Sequence, residues 1–101
     1  MRRLVNSWVE AEQNGYRNTL AGAIRELNKE CGIALTHSRL AEWRKGKYTP
    51  SPEVLSQMLY RVLPWALMRI GLKATDEQLD ALEDLLWNVN LKDGERYIEH
   101  L

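Results

Sequence analysis

The residues best suited to chemistry fall in one run, Thr36-His37-Ser38-Arg39-Leu40-Ala41-Glu42-Trp43-Arg44-Lys45-Gly46-Lys47-Tyr48-Thr49. Arg39, Arg44, Lys45 and Lys47 form the densest basic cluster of the chain, opposed only by Glu42. Guanidinium and ammonium groups at this density suit phosphate oxygens, and an arginine fork can also bond two acceptors on one base edge. The bland alternative for the same charges is a solvated helix face. Catalysis has no comparable signature: no nucleophile stands beside a base, and no glycine spacing cradles a phosphate. His37 and His100 lie far apart with no HxxxH pattern, and Cys31 is the single cysteine. A metal site and an internal disulfide are therefore excluded, and neither an enzyme nor a cofactor is expected. Cys31 reads as a small buried hydrophobe. The acids Asp76, Glu77, Asp80, Glu83 and Asp84 read as the solvated side of an amphipathic helix.

The elements that must position the run are helical throughout. Leu4, Val5, Trp8 and Val9 make one face of a first helix, and Asn14-Gly15 is a turn signal that ends it. Asn18 or Thr19 can cap the next helix, where Leu20, Ile24, Leu27 and Cys31 share a face and Gly32 terminates. Thr36 precedes a third helix with Leu40 and Trp43 on one side, closed by Gly46. Ser51-Pro52-Glu53 opens a fourth helix: a capping hydroxyl, proline at the first position, then an acid on the positive end of the dipole. Its face is Val54, Leu55, Met58, Leu59, Val62 and Leu63, and Pro64 is expected to kink or break it before Gly71. Thr75 with Gln78 is a capping box for a further helix carrying Leu79, Leu82, Leu86 and Val89. Glu95–Leu101 is either a last short helix or a tail. The expectation is a single all-α domain, a compact bundle of five or six helices.

Within that bundle, residues 35–55 combine a polar helix start, two apolar anchors, a glycine stop, a basic loop and a proline-opened helix. A helix that reads DNA needs such parts: its N-terminal polar residues enter the major groove while its back face packs on the domain. Leu40 and Trp43 would form that back face, leaving His37, Ser38, Arg39 and Glu42 pointing outward, with basic groups beyond the helix end near phosphates. The run resembles the second half of the helix-turn-helix domain in the lambda-repressor/Cro-like (XRE) family. Leu35-Thr36, Leu40, Trp43, Gly46, Lys47, Pro50, Pro52-Glu53 and Leu55 match the family pattern without a gap. The resemblance implies a helix-turn-helix motif in which Thr36 caps the reading helix. It makes His37, Ser38, Arg39 and Glu42 the candidate base contacts, and Thr36, Arg44, Lys45, Lys47, Tyr48 and Thr49 the candidate phosphate contacts. Two departures stand out. Asn28 occupies a place where the family has a small residue, and the spacing from Gly32 to Trp43 is longer than the family's.

The formal net charge is zero, from 14 Lys and Arg against 14 Asp and Glu, which at first sight argues against a polyanionic partner. The charges are not evenly spread. Residues 1–73 hold 12 bases and 6 acids, whereas residues 74–101 hold 2 bases and 8 acids. The first segment is expected to be the DNA-binding region. The second is expected to be an acidic helix of the same domain whose stripe Leu79, Leu82, Leu86 and Val89 could simply close the core, the preferred expectation being that it mediates dimerisation. Its surplus of apolar residues fits an interface, and a two-fold dimer fits a palindromic site.

A sequence-specific regulator follows as the expected function: a homodimer on a palindromic operator, acting by repression, of bacterial, phage or plasmid type. The competing expectation is a protein-interaction module on the same scaffold, an antitoxin or phage-encoded inhibitor binding a partner through the acidic helix. RNA binding is weaker, since the tryptophans sit at core-like positions. No apolar run is long enough to span a membrane and the N-terminus lacks a signal-length apolar stretch, so no membrane partner and a cytoplasmic location are expected.

Overall fold

The computed structural model describes residues 2–88, with side-chain surroundings defined for residues 2–82 and 84. Five α-helices follow one another: α1 (Arg2–Glu10), α2 (Leu20–Cys31), α3 (His37–Arg44), α4 (Pro52–Arg69) and α5 (Asp76–Asn88). Among the described residues there is no strand, as the uniform helical period requires. The expected segment Glu95–Leu101 lies outside the described residues.

The longest helix, α4, is the spine. Val54, Leu55, Met58, Leu59, Val62 and Leu63 are all buried, a stripe that repeats at alternating steps of one and three. α1, α2 and α5 pack on it, and α3 packs chiefly on α1. From α1 the core receives Leu4, Val5, Trp8 and Val9, none more than 3% exposed. Burying each such side chain contributes roughly 1.5–3 kcal/mol, so the α1–α4 interface dominates the fold. Ser51 caps α4 as the sequence predicts, its hydroxyl accepting from the Val54 N–H at 3.4 Å.

Pro64 does not break α4, which continues to Arg69. Proline has no N–H to offer the Tyr60 carbonyl, so one rung is missing. The carbonyl of the next residue, Arg61, accepts the Tyr16 hydroxyl at 2.7 Å. Trp65, Ala66 and Leu67 beyond the proline still pack on the core. Tertiary contacts thus carry the helix past a residue that would end it in isolation. Gly71, at φ 81°, closes the segment in a double turn, with Gly71 N–H bonded to Met68 O and Leu72 N–H to Leu67 O.

The end of α1 differs from expectation in a second way. A π-helical turn, Ala11–Gly15, prolongs it, with the Tyr16 N–H bonded to the carbonyl of Ala11 at 2.9 Å. The chain reverses not at Asn14-Gly15 but at Arg17, whose φ is 57°. A left-handed conformation disfavours a side chain by about 1–2 kcal/mol, and the Asn18 N–H bonded to Glu12 O at 2.8 Å helps to hold it. The widened turn accompanies a buried Glu12, 3% exposed. Arg61 grips its carboxylate with two bonds, Nε to Oε1 at 2.6 Å and a terminal nitrogen to Oε2 at 3.1 Å. Asn18 adds a third at 2.7 Å. The guanidinium also lies 3.7 Å from the centroid of the Tyr16 ring. The hydrogen bond to Glu12 raises the Arg61 pKa, and burial raises that of Tyr16 against the opposing pull of Arg61.

At the other end, Thr75 and Gln78 form the predicted capping box, each side chain accepting from the other's backbone N–H at 3.2 and 2.9 Å. Leu79 follows and is 3% exposed. It closes the intramolecular core and offers no surface to a second chain, so it leaves the expected dimer interface. Its position one turn past the cap places it against the spine, while Asp80, Ala81, Leu82 and Asp84 are exposed. Leu82 remains at the surface, 36% exposed. The Leu86 side chain and Val89 lie outside the described residues.

Candidate nucleic-acid interface

α3 is short, and few contacts hold it. Leu40 and Trp43 are its buried residues, 1% and 8% exposed. Thr36 caps it in extended geometry (φ −111°), its hydroxyl accepting from the Arg39 N–H at 3.2 Å. At 100° per residue, burying Leu40 and Trp43 turns Ser38, Ala41, Glu42 and Lys45 to the opposite side. Arg39 and Arg44 then flank that face on opposite edges. His37, Ser38, Arg39, Arg44 and Lys45 are exposed, and Glu42 is half-buried.

The connection from α2 to α3 is set by a residue that the sequence pattern marked as a departure. Asn28 donates its amide to Leu35 O at 3.1 Å and accepts the Leu35 N–H at 2.7 Å. A small residue there could make neither bond. Gly32 starts the connection at φ 63°, and Leu35 sinks into the core at 6% exposure. The longer turn is therefore tied at its far end, just before the α3 cap, to the last turns of α2 by a side chain that mimics a backbone partner.

The far end of α3 is fixed to α1. Arg44 Nε donates to Asn6 Oδ1 at 2.8 Å, while the Asn6 amide donates to Arg44 O at 3.3 Å. The loop then leaves through Gly46, at φ 77°, with Gly46 N–H bonded to Trp43 O and Lys47 N–H to Glu42 O, each at 3.0 Å. This reversal brings the exposed Tyr48 beside Arg39, whose Cζ is 5.6 Å from the ring centroid, with Lys47 Nζ at 5.7 Å. Arg39 Nε lies 3.8 Å from Glu42 Oε2 in an exposed pair. Thr49 is exposed and Pro50 is buried.

Of the candidate contacts, Arg39, Glu42, Lys47 and Tyr48 therefore form one cluster at an edge of α3. Arg44 is drawn to the other edge by Asn6. Thr36, His37 and Ser38 stand at the N-terminal turn. Sequence reasoning gave no position to Arg2, whose side chain runs alongside Gly46; a Cβ there would sit 3.4 Å from Arg2 Cδ. It also gave no role to Asn6, since a single polar residue on a half-buried helix edge carries no pattern.

The described residues hold no group of three His, Cys, Asp or Glu that could hold a metal ion. Nor is any helix long and apolar enough to cross a membrane. A cleft of about 170 Å³ beside Glu12 and Arg61 is lined also by Glu26, Glu30 and Gln57. Its innermost charges are already satisfied by one another. Against known proteins, the chain matches no family model, no curated protein and no solved structure.

Proposed function

We propose that the chain is a sequence-specific DNA-binding regulator, with α2 and α3 acting as a helix-turn-helix and α3 as the helix that reads the major groove. One observation carries this reading. His37, Ser38 and Arg39 stand exposed on the first turn of α3 while Leu40 and Trp43 bury its back, so the groups a groove would meet are not used by the core. Arg39 is the base reader best suited to guanine, with His37 and Ser38 beside it and Glu42 paired to its Nε side. Lys45, Lys47, Thr49, Thr36 and the remaining donors of Arg44 supply phosphate contacts, and Arg2 extends that set; Tyr48, expected among them, lies instead with its ring beside Arg39. Residues 1–73 carry the excess of positive charge, and the acidic residues of α5 sit on the helix that packs against α4 rather than beside α3.

A homodimer on a palindrome fits the apolar surface at the end of α4. Met68, Ile70 and Leu72 are 64%, 71% and 54% exposed, with Leu82 on α5 also at the surface. A two-fold dimer would present two reading helices about 34 Å apart, one helical turn of DNA. Repression by occupancy is the simplest mode of action for such a chain. The same surface supports the second reading, a module that binds another protein. The deciding experiment is affinity selection from random duplex DNA at two salt concentrations. Enrichment of a palindromic motif is expected. Enrichment of none, with uniform retention that vanishes at higher salt, removes the regulator reading and leaves the interaction module.

A further inference from the structure

We infer that Tyr48 and Glu42 are positioning residues that hold the Arg39 guanidinium for a two-pronged bond to a guanine; this rests on the DNA-reading role proposed for α3. Three observations meet at Arg39. Its Cζ lies 5.6 Å from the Tyr48 ring centroid, within cation–π range. Its Nε faces Glu42 Oε2 at 3.8 Å, one helical turn along the same edge. Its backbone N–H is held by the Thr36 cap at 3.2 Å. The root of the side chain, one face of its tip and one edge are thereby constrained.

The remaining outer edge carries the two terminal nitrogens, the pair that can bond guanine O6 and N7 together. A free arginine must lose its rotamer freedom when it binds, and prior restraint lowers that loss. Glu42 and Tyr48 reach the guanidinium from different parts of the chain. Glu42 is on α3 itself. Tyr48 arrives from the loop only because Gly46 adopts φ 77° and turns the backbone back. Lys47 Nζ also lies 5.7 Å from the Tyr48 ring centroid, so two cations share one ring. Their mutual repulsion eases when a phosphate takes the ammonium, leaving the ring to Arg39. This assignment differs from direct contact: Tyr48 acts through its ring rather than its hydroxyl, and Glu42 through Arg39 rather than through cytosine.

The test uses the full chain and the duplex motif enriched by selection. Tyr48→Ala is expected to weaken binding roughly two- to fivefold, the range of an exposed cation–π contact, and Tyr48→Phe to leave it unchanged. Arg39→Ala is expected to weaken it about tenfold or more. Tyr48→Ala and Glu42→Gln should each relax preference at the same base pair as Arg39→Ala. Combining Tyr48→Ala with Arg39→Ala should add little to Arg39→Ala alone. In the free protein, the Arg39 side-chain NMR signals should lose their ring-current shift in Tyr48→Ala. Additive losses, an equal loss in Tyr48→Phe, or Arg39 signals unmoved by Tyr48→Ala overturn the positioning role while leaving the reading helix intact. A wild-type chain that selects no duplex motif removes the DNA reading, and this inference with it.

Discussion

Asn28 holds both backbone groups of Leu35, donating to its carbonyl at 3.1 Å and accepting from its N–H at 2.7 Å. Seven residues of chain, including the left-handed Gly32, are closed by one side chain. Asn28→Ala leaves a donor and an acceptor without partners next to a buried leucine, which costs about 1–3 kcal/mol. Urea unfolding should show that loss. DNA affinity at a temperature where the variant is folded should fall as well, because α3 is hung from this turn. A variant with wild-type stability would show that water replaces the amide without cost.

Lys45 and Arg39 should fail differently. Lys45 is exposed on the outward face of α3, where it suits a phosphate and carries no sequence information. Lys45→Ala is expected to weaken binding to all duplexes alike and to lower the slope of log affinity against log salt by about one. Arg39→Ala should cost roughly 1–3 kcal/mol on the selected motif and relax preference at one position. Titrations on cognate and scrambled duplexes at several salt concentrations separate the two patterns. Equal selectivity in both variants would undo the division between reader and phosphate contact.

Gly15 is irreplaceable for a packing reason. A Cβ at that position would lie 2.3 Å from Cδ1 of the Trp65 indole. Gly15→Ala should therefore displace the indole or the π-helical turn, at about 1–3 kcal/mol, the usual range for overpacking. Thermal unfolding of Gly15→Ala, and of Gly15→Ala with Trp65→Leu, checks this. The smaller leucine should recover part of the loss, and additive destabilisation would point elsewhere.

Cys31 should be a sluggish thiol. Cys31 is half-buried and packs at the edge of the core rather than inside it as expected; that partial burial pushes its pKa up, with Glu30 and then Glu53 adding to the shift. Less thiolate is present at a given pH, so alkylation by iodoacetamide at pH 8 should run slower than for the unfolded chain. The sign for stability follows. The unfolded thiol ionises first, so any stability that Cys31 contributes is fully present at neutral pH and falls as the pH rises through the ordinary cysteine range. Equal alkylation rates in folded and urea-unfolded protein would contradict the shift.

The apolar group at the end of α4 should govern association. Ile70→Arg, at a position 71% exposed, is expected to leave the fold intact and to shift the molecular mass in solution from dimer to monomer. Light scattering at a few concentrations suffices. A wild-type chain that is monomeric at high concentration would instead favour a different partner for this surface.

Sequence alone determined much of this protein because much of it is local. Caps at Thr36, Ser51 and Thr75 and stops at Gly32, Gly46 and Gly71 are short-range chemistry, and the starts of α3, α4 and α5 followed from them, while the α2 cap was narrowed to Asn18 or Thr19 and proves to be Thr19. The stripes on α1, α2 and α4 announced their buried faces, since burial repeats with the helical period. Charge arithmetic sharpened from a neutral total to a basic segment and an acidic one. Tertiary structure alone decided what depends on distant partners. Pro64 sits inside a continuous helix because neighbours hold both sides of it. Glu12 is buried because Arg61, 49 residues away, meets it there. Leu79 belongs to the core because α5 lies against α4 at that turn, and no property of its own stripe told it from Leu82. The basic cluster read as one group along the sequence, yet helix geometry and Asn6 divide it, leaving Arg39 with Tyr48. Periodicity reports which face is apolar, but the choice among partners for that face, and for each charge, is made only when the helices pack.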